Sequence, residues 1–110
     1  MKYDIYINGT CESNEEGNRV GSCTAIVQTG LISKTYICKL TKKGTHNRAY
    51  LGSLILGLRQ IPKQSSVIVH TNSNYTINTV KKLVKRGTNN DMLNYIDSMS
   101  KEMKLDFVKI

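Results

Sequence analysis

The segment Val67–Val80, which reads VIVHTNSNYTINTV, constrains the fold more than any other part of this sequence. Its first residues are apolar and β-branched, small polar residues follow, and apolar residues at helical spacing complete it. A strand that ends in polar residues and leads directly into a helix is half of a βα unit. In open α/β sheets functional groups collect just beyond the ends of such strands, and Asn72 occupies that position.

Alternating apolar residues predict three strands before this unit. Short connections between these strands favour an antiparallel meander. Asn8-Gly9 is a turn signal at the end of the first strand, and Gly30 is the expected hairpin turn between the second and third. The predicted strands cover residues 2–10, 20–29 and 31–40.

The helix of this unit is expected to continue through a basic end, formed by Lys81, Lys82, Lys85 and Arg86, as far as Gly87. Further helical patterns lie on both sides of the unit. Thr45 is expected to cap a helix that Pro62 ends, and Asn89 or Asn90 is expected to cap a later helix. A final strand is predicted at 105–110, which makes the element order βββαβααβ. This order predicts one α/β domain over residues 1–110, with a mixed five-stranded sheet and helices on its faces.

The net charge of +8, from 16 basic and 8 acidic residues, favours a polyanionic partner. The chain has no Trp and a single Phe, which argues against a platform that stacks single-stranded bases. Neither a signal peptide nor a membrane span is expected, so the expected location is the cytoplasm. Three separated cysteines without a C-x-x-C pair predict reduced thiols rather than a zinc site.

Three short motifs stand at predicted strand ends and helix starts. They read YINGTC at 6–11, with Asn14 nearby, HNRAYL at 46–51 and HTNSNY at 70–75. In this order and at this spacing they resemble motifs of the ribonuclease H family, and the resemblance covers almost the whole chain. It implies a ribonuclease H-like fold and a surface for an RNA/DNA hybrid.

The family's catalytic chemistry uses two magnesium ions held by an Asp, a Glu, an Asp and a further C-terminal Asp. The matching positions here carry Asn8, Tyr50 and Asn72, and the fourth would lie beyond residue 110. Two neighbouring divalent cations need anionic ligands, whereas amides and a phenol are neutral near pH 7. The chain is therefore expected not to be an enzyme, with no cofactor and no magnesium. Glu12, Glu15 and Glu16 are the alternative acids for a relocated metal site.

The positions that resemble the family's substrate contacts keep polar or basic side chains. Amides and hydroxyls suit the 2′-hydroxyls and phosphates that line the shallow minor groove of an RNA-containing duplex. Helix caps, turns and a solvated basic surface account for the same residues equally well. The candidate nucleic-acid-binding residues are Asn14, His46, Asn47, Arg48, Ser73, Asn74, Lys81, Lys82, Lys85 and Arg86.

Three functions remain open on the sequence. The first is a catalytically inactive ribonuclease H-like module that binds an RNA/DNA hybrid or another RNA-containing duplex. The second is a protein-interaction or assembly module on the same fold, and the third is an active metal-dependent RNA-strand hydrolase with a relocated site. Without the family's C-terminal helix, one sheet face is also expected to be less covered, so self-association or a protein partner is expected there.

Overall fold

The computed structural model describes residues 1–13, 15–41 and 44–110. The elements are β1 (Lys2–Ser13), β2 (Arg19–Thr29), β3 (Ile32–Leu40), α1 (His46–Leu58), β4 (Ser66–Thr71), α2 (Asn74–Val80), α3 (Asn90–Met99) and β5 (Lys104–Lys109). The strands form one five-stranded sheet in the order β3-β2-β1-β4-β5, in which β1 and β2 pair antiparallel, as do β2 and β3, while β4 runs parallel to β1 and β5. This confirms the predicted element order and the predicted mixed five-stranded sheet.

The first strand is longer than predicted, because Asn8-Gly9 does not form a turn. β1 pairs with β2 without interruption as far as Ser13, opposite Arg19. Gly9 instead lies against α1, where a Cβ atom would come within 2.6 Å of the backbone nitrogen of Tyr50. The turn prediction at Asn8-Gly9 was therefore wrong, since this glycine serves a close approach between strand and helix.

The predicted hairpin turn at Gly30 is confirmed. Thr29 and Ile32 are partners in the sheet, so Gly30 and Leu31 form a two-residue connection. Gly30 has φ 58, a left-handed backbone that glycine adopts without steric cost. Such two-residue turns match the twist of the strands they join and so fix the register of β2 and β3.

The hydrophobic core lies between one face of the sheet and the helices. α1 packs directly on β1 and β2, and α3 packs against α1. The opposite sheet face is more open, since Tyr6 is 37% exposed and Ile37 is 71% exposed. The largest fully buried apolar side chains are Ile5, Leu51, Leu54, Leu58, Leu93, Ile96, Val67 and Val69.

The helix starts follow the sequence closely, whereas one helix end does not. Thr45 caps α1 as predicted, because its side chain accepts a hydrogen bond from the Arg48 backbone nitrogen. α2 was expected to continue into the basic residues after it, but it ends at Val80. Residues 81–89 are irregular, and Lys82 there has φ 59. Within the described part of the chain, no helix is long and apolar enough to cross a membrane.

Candidate nucleic-acid interface

Asn8, Tyr50 and Asn72 meet where β1 and β4 approach the start of α1. The two strands are parallel neighbours, so their polar ends lie at the same edge of the sheet. The Tyr50 hydroxyl lies 3.1 Å from Asn8 Oδ1 and 2.8 Å from Asn72 Oδ1. The structure thus brings together all three positions that the sequence matched to the family's catalytic carboxylates.

The phenol carries a single proton, so it donates a hydrogen bond to one amide oxygen at a time. If the other amide is rotated, its NH₂ group donates to the phenolic oxygen, and both contacts are satisfied. Tyr50 is only half-buried, and both asparagines are exposed at the surface. The cluster is therefore neutral, hydrogen-bonded and accessible to a ligand.

Ser53 supports this cluster from below, and sequence reasoning missed it. It is fully buried, its hydroxyl lies 2.6 Å from the Asn8 carbonyl, and it accepts a hydrogen bond from the Thr24 backbone nitrogen. These bonds fasten α1 to β1 and β2 directly beneath Asn8. The available signal was one small hydroxyl residue within an otherwise apolar helical pattern.

The cluster residues do not fit a two-magnesium centre. Two amide oxygens and a phenol supply no negative charge, although a pair of divalent cations requires several anionic ligands. The acids expected to substitute, Glu12, Glu15 and Glu16, are exposed. Across residues 1–13, 15–41 and 44–110, no three His, Cys, Asp or Glu side chains are grouped so as to hold a metal ion.

We expect Tyr50→Phe to lower the free energy of unfolding by roughly 0.5–1 kcal/mol, because it removes hydrogen bonds that are partly solvated. The ring and its packing stay in place, so the change reports on the hydroxyl alone. Urea unfolding of the variant and of the wild-type chain measures the difference. A loss well above 2 kcal/mol would contradict this description of the cluster.

Arg48, a predicted binding residue, is already held by protein groups. Its guanidinium donates hydrogen bonds to both carboxylate oxygens of Asp91, at 3.1 and 3.0 Å, and to Asn89 Oδ1 at 3.1 Å. Asn89 in turn donates to the Tyr75 hydroxyl at 2.8 Å. Asn89 precedes α3 as predicted but makes no side-chain cap bond, because its side chain is committed to these partners. A role for Arg48 in binding stays a prediction.

The hydrogen bond from Arg48 lowers the pKa of the Asp91 carboxyl to about 2, from an ordinary value of 3.8. The contribution of this hydrogen bond to stability is complete above about pH 4 and is lost as the pH falls through about 2.

We expect Asp91→Asn to cost less than about 1 kcal/mol at pH 7, because the carboxylate is largely exposed. As the pH falls from about 4 to about 2, the variant should also lose less stability than the wild-type chain, because it lacks the titrating carboxylate. Thermal melting at stepped pH measures this, and identical acid profiles would contradict it.

The basic residues after α2 are one arginine that is hydrogen-bonded to other protein groups and three exposed lysines. Arg86 donates to Asp97 at 2.6 and 3.0 Å and to the Thr79 carbonyl at 2.9 Å. Its hydrogen bonds lower the pKa of Asp97. The exposed lysines are Lys81, Lys82 and Lys85, of which Lys82 approaches Asp97 at 4.0 Å.

The other predicted contact residues lie at helix starts. The Ser73 hydroxyl caps α2 by accepting from the Thr76 backbone nitrogen, so it has a structural role. His46, Asn47 and Asn74 are exposed in the first turns of α1 and α2. Asn14 lies outside the described residues.

Solved structures show the same fold at low sequence identity. The structure of LC11-RNase H1, isolated from compost by a metagenomic approach, has a TM-score of 0.75 and 18% identity; the match covers 99% of this chain and 84% of that one. The structure of LC11-RNase H1 in complex with an RNA/DNA hybrid has a TM-score of 0.70 and 18% identity; the match covers 98% of this chain and 84% of that one. The structure of LC9-RNase H1, described as a type 1 RNase H with the type 2 active-site motif, has a TM-score of 0.68 and 17% identity. This match covers 98% of this chain and 63% of that one. No curated protein sequence matches significantly.

A family model described as RNase H matches residues 1–109. This match overturns the prediction that the chain is not an enzyme, because the family is an enzyme family and nothing in the structure shows loss of activity. The prediction took the replacement of three carboxylates as sufficient, but an altered ligand set does not demonstrate inactivity. The chain belongs to the ribonuclease H family.

Proposed function

We propose that this protein binds RNA/DNA hybrids across the surface formed by the Asn8–Tyr50–Asn72 cluster and the exposed first turns of α1 and α2. The observation that carries the proposal is the neutral, exposed, hydrogen-bonded cluster at that position. The hybrid present in one structural relative supports it.

Charge favours such binding. Carboxylates at the cluster would repel the phosphates of a duplex, whereas amides donate and accept hydrogen bonds without that repulsion. The chain as a whole carries a net charge of +8, which attracts a polyanion from a distance. Binding in this arrangement needs no magnesium, because the cluster carries no negative charge that a cation would have to neutralise before a phosphate approaches.

The chemistry of the surface residues favours RNA-containing duplexes. His46, Asn47 and Asn74 can both donate and accept hydrogen bonds, as the 2′-hydroxyl of RNA does. A B-form DNA duplex lacks this group and has a narrower minor groove. A hybrid or RNA duplex should therefore bind more tightly than DNA of the same sequence.

The test is a titration of the full chain against a labelled RNA/DNA hybrid, a DNA duplex and an RNA duplex of one sequence, with EDTA and at 50 and 200 mM salt. We expect the hybrid to bind more tightly than DNA, with affinity that falls steeply as salt rises, because phosphate contacts release counterions. Equal, weak binding to all three duplexes would overturn the proposal.

Hydrolysis is measured separately on the same hybrid, with Mg²⁺ or Mn²⁺ in place of EDTA. Because the chain belongs to an enzyme family, RNA-strand cleavage is followed by gel alongside binding. Glu12→Gln and Glu15→Gln show whether any cleavage depends on the acids at the end of β1 and in the loop after it. Binding and cleavage thus give independent answers.

We expect the double change Asn47→Ala and Asn74→Ala to weaken hybrid binding about thirtyfold, since it removes two hydrogen-bonding groups worth about 1 kcal/mol each. Asn94→Ala is the matched control, because Asn94 is an exposed asparagine on α3. The same titration measures all variants. Equal affinities for the double variant and the control would place the binding surface elsewhere.

A further inference from the structure

Two of the three cysteines face each other across the edge of the sheet. Cys23 on β2 and Cys38 on β3 are direct partners in the antiparallel register, and both are free thiols. Directly opposite residues of antiparallel strands project from the same face. Both side chains line a single cavity, together with Leu40, Gly52 and Met92. The two thiols are therefore neighbours in space although they are distant in the sequence.

Backbone geometry brings this pair within reach of a covalent bond. Directly opposite residues in antiparallel strands have Cα atoms about 4.5–5.5 Å apart. Disulfides span Cα separations of about 4.4–6.8 Å. The Cβ separation of such pairs, about 4.5–5.5 Å, is longer than the mean of about 3.8 Å in a disulfide. The two strands must thus move closer by roughly 1 Å, and the resulting bond would be strained.

The position of β3 allows that movement. Among the described strands, β3 lies at the edge of the sheet and pairs only with β2, and most of its residues are exposed. Gly52 leaves room for the Cys23 sulfur, because a Cβ atom at Gly52 would lie 2.8 Å from it. An edge strand that borders a cavity, as β3 does at Cys38 and Leu40, can shift with little disturbance of the core.

We propose that Cys23 and Cys38 form a reversible cross-strand disulfide when the protein meets a low-molecular-weight disulfide such as oxidised glutathione. The thiolate of one cysteine attacks a glutathione sulfur, and the first glutathione leaves as a thiol. The second cysteine then attacks the mixed disulfide and releases the second glutathione thiol. The cysteine pair loses two electrons and two protons, and the oxidant gains both.

The exposures of the two thiols set the order of these steps. Cys38 is exposed and meets the oxidant first, whereas Cys23 is 1% exposed. Burial also raises the pKa of Cys23 to about 11, with a smaller contribution from Cys38, so its thiolate is scarce at neutral pH. Cys23 therefore acts as the resolving thiol, and its attack is the slow step. Strain in the product makes it easily reduced again.

The third cysteine is separate from this pair. Cys11 lies on β1, where its sulfur donates to the Gly44 carbonyl at 3.2 Å and accepts from Arg19 at 3.1 Å. Cys11→Ser therefore leaves only the proposed pair, and Cys38→Ser removes it while Cys11 and Cys23 remain.

The test uses the full Cys11→Ser chain, which is treated with oxidised glutathione and then alkylated. Its intact mass is measured by mass spectrometry without reductant. We expect a mass loss of about 2 Da, because disulfide formation removes two hydrogens, and we expect dithiothreitol to restore the original mass. Peptide mapping of the oxidised wild-type chain should yield one linked pair containing Cys23 and Cys38, whether or not the Cys11→Ser variant folds. In Cys38→Ser no intramolecular bond should form. Persistent free thiols, a stable glutathione adduct on Cys38, or a covalent dimer would each overturn the proposal.

Discussion

Replacing Gly9 by alanine should lower the free energy of unfolding by about 3 kcal/mol, the upper end of what overpacking a core usually costs. The added Cβ would come within 2.6 Å of the Tyr50 nitrogen and 2.7 Å of the Ala49 carbonyl carbon. Both atoms belong to the backbone of α1, so no side-chain rotation relieves the contact. The helix must move away from β1, which also separates Tyr50 from Asn8.

Thermal melting measures this effect, and we expect the melting temperature to fall by roughly 10–20 °C. Gly87→Ala is the matched control, because nothing lies within 4 Å of a Cβ atom built there. The Gly87→Ala control should have a melting temperature close to that of the wild-type chain. Unchanged melting of Gly9→Ala would show that α1 does not rest on β1 at this position.

Changing Lys81, Lys82 and Lys85 together to glutamine should weaken hybrid binding on the order of 100-fold near 100 mM salt, if all three contact phosphates. The slope of log affinity against log salt should become shallower by roughly 2–3 for the same reason. All three side chains are exposed, so stability should change little. The titration described above, repeated over a salt series, measures both quantities.

The control carries the same change in net charge at another place. Lys63, Lys101 and Lys104 are exposed, and Lys104 pairs with Ser66 at the start of β4, the end away from Asn72. Their replacement by glutamine should alter the slope by less than about 1. Equal effects of the two triple changes would mean that overall charge, rather than contacts after α2, drives binding.

Sequence patterns predicted those parts of the fold that depend on near neighbours. The cap at Thr45 and the turn at Gly30 involve residues a few positions apart, and both were correct. The turn at Asn8-Gly9 was wrong because the same dipeptide also permits close packing, which only the placement of α1 decides. The end of α2 was missed because it depends on Arg86, whose guanidinium donates hydrogen bonds to the Thr79 and Val80 carbonyls and to Asp97 on α3.

The candidate site shows the same division. The three cluster positions could be found by resemblance, but the contact of the Tyr50 hydroxyl with both amides depends on the parallel pairing of β1 and β4. The supporting bonds of Ser53 depend on that arrangement too. Likewise, Arg48 resembles a substrate contact in the sequence, and only the packing of α3 shows that Asp91 holds it.

The strand order has a consequence for how the chain folds during synthesis. β1 lies at the centre of the sheet, yet its second neighbour, β4, is made only after α1 is complete. One edge of β1 therefore stays unpaired while the meander and the first helix assemble, and unpaired edges invite association with other chains. Long-range parallel pairing is also slow to form. Docking of β4 closes the open edge of β1 and assembles the Asn8–Tyr50–Asn72 cluster, so full pairing of the central strand and formation of the candidate site are one event.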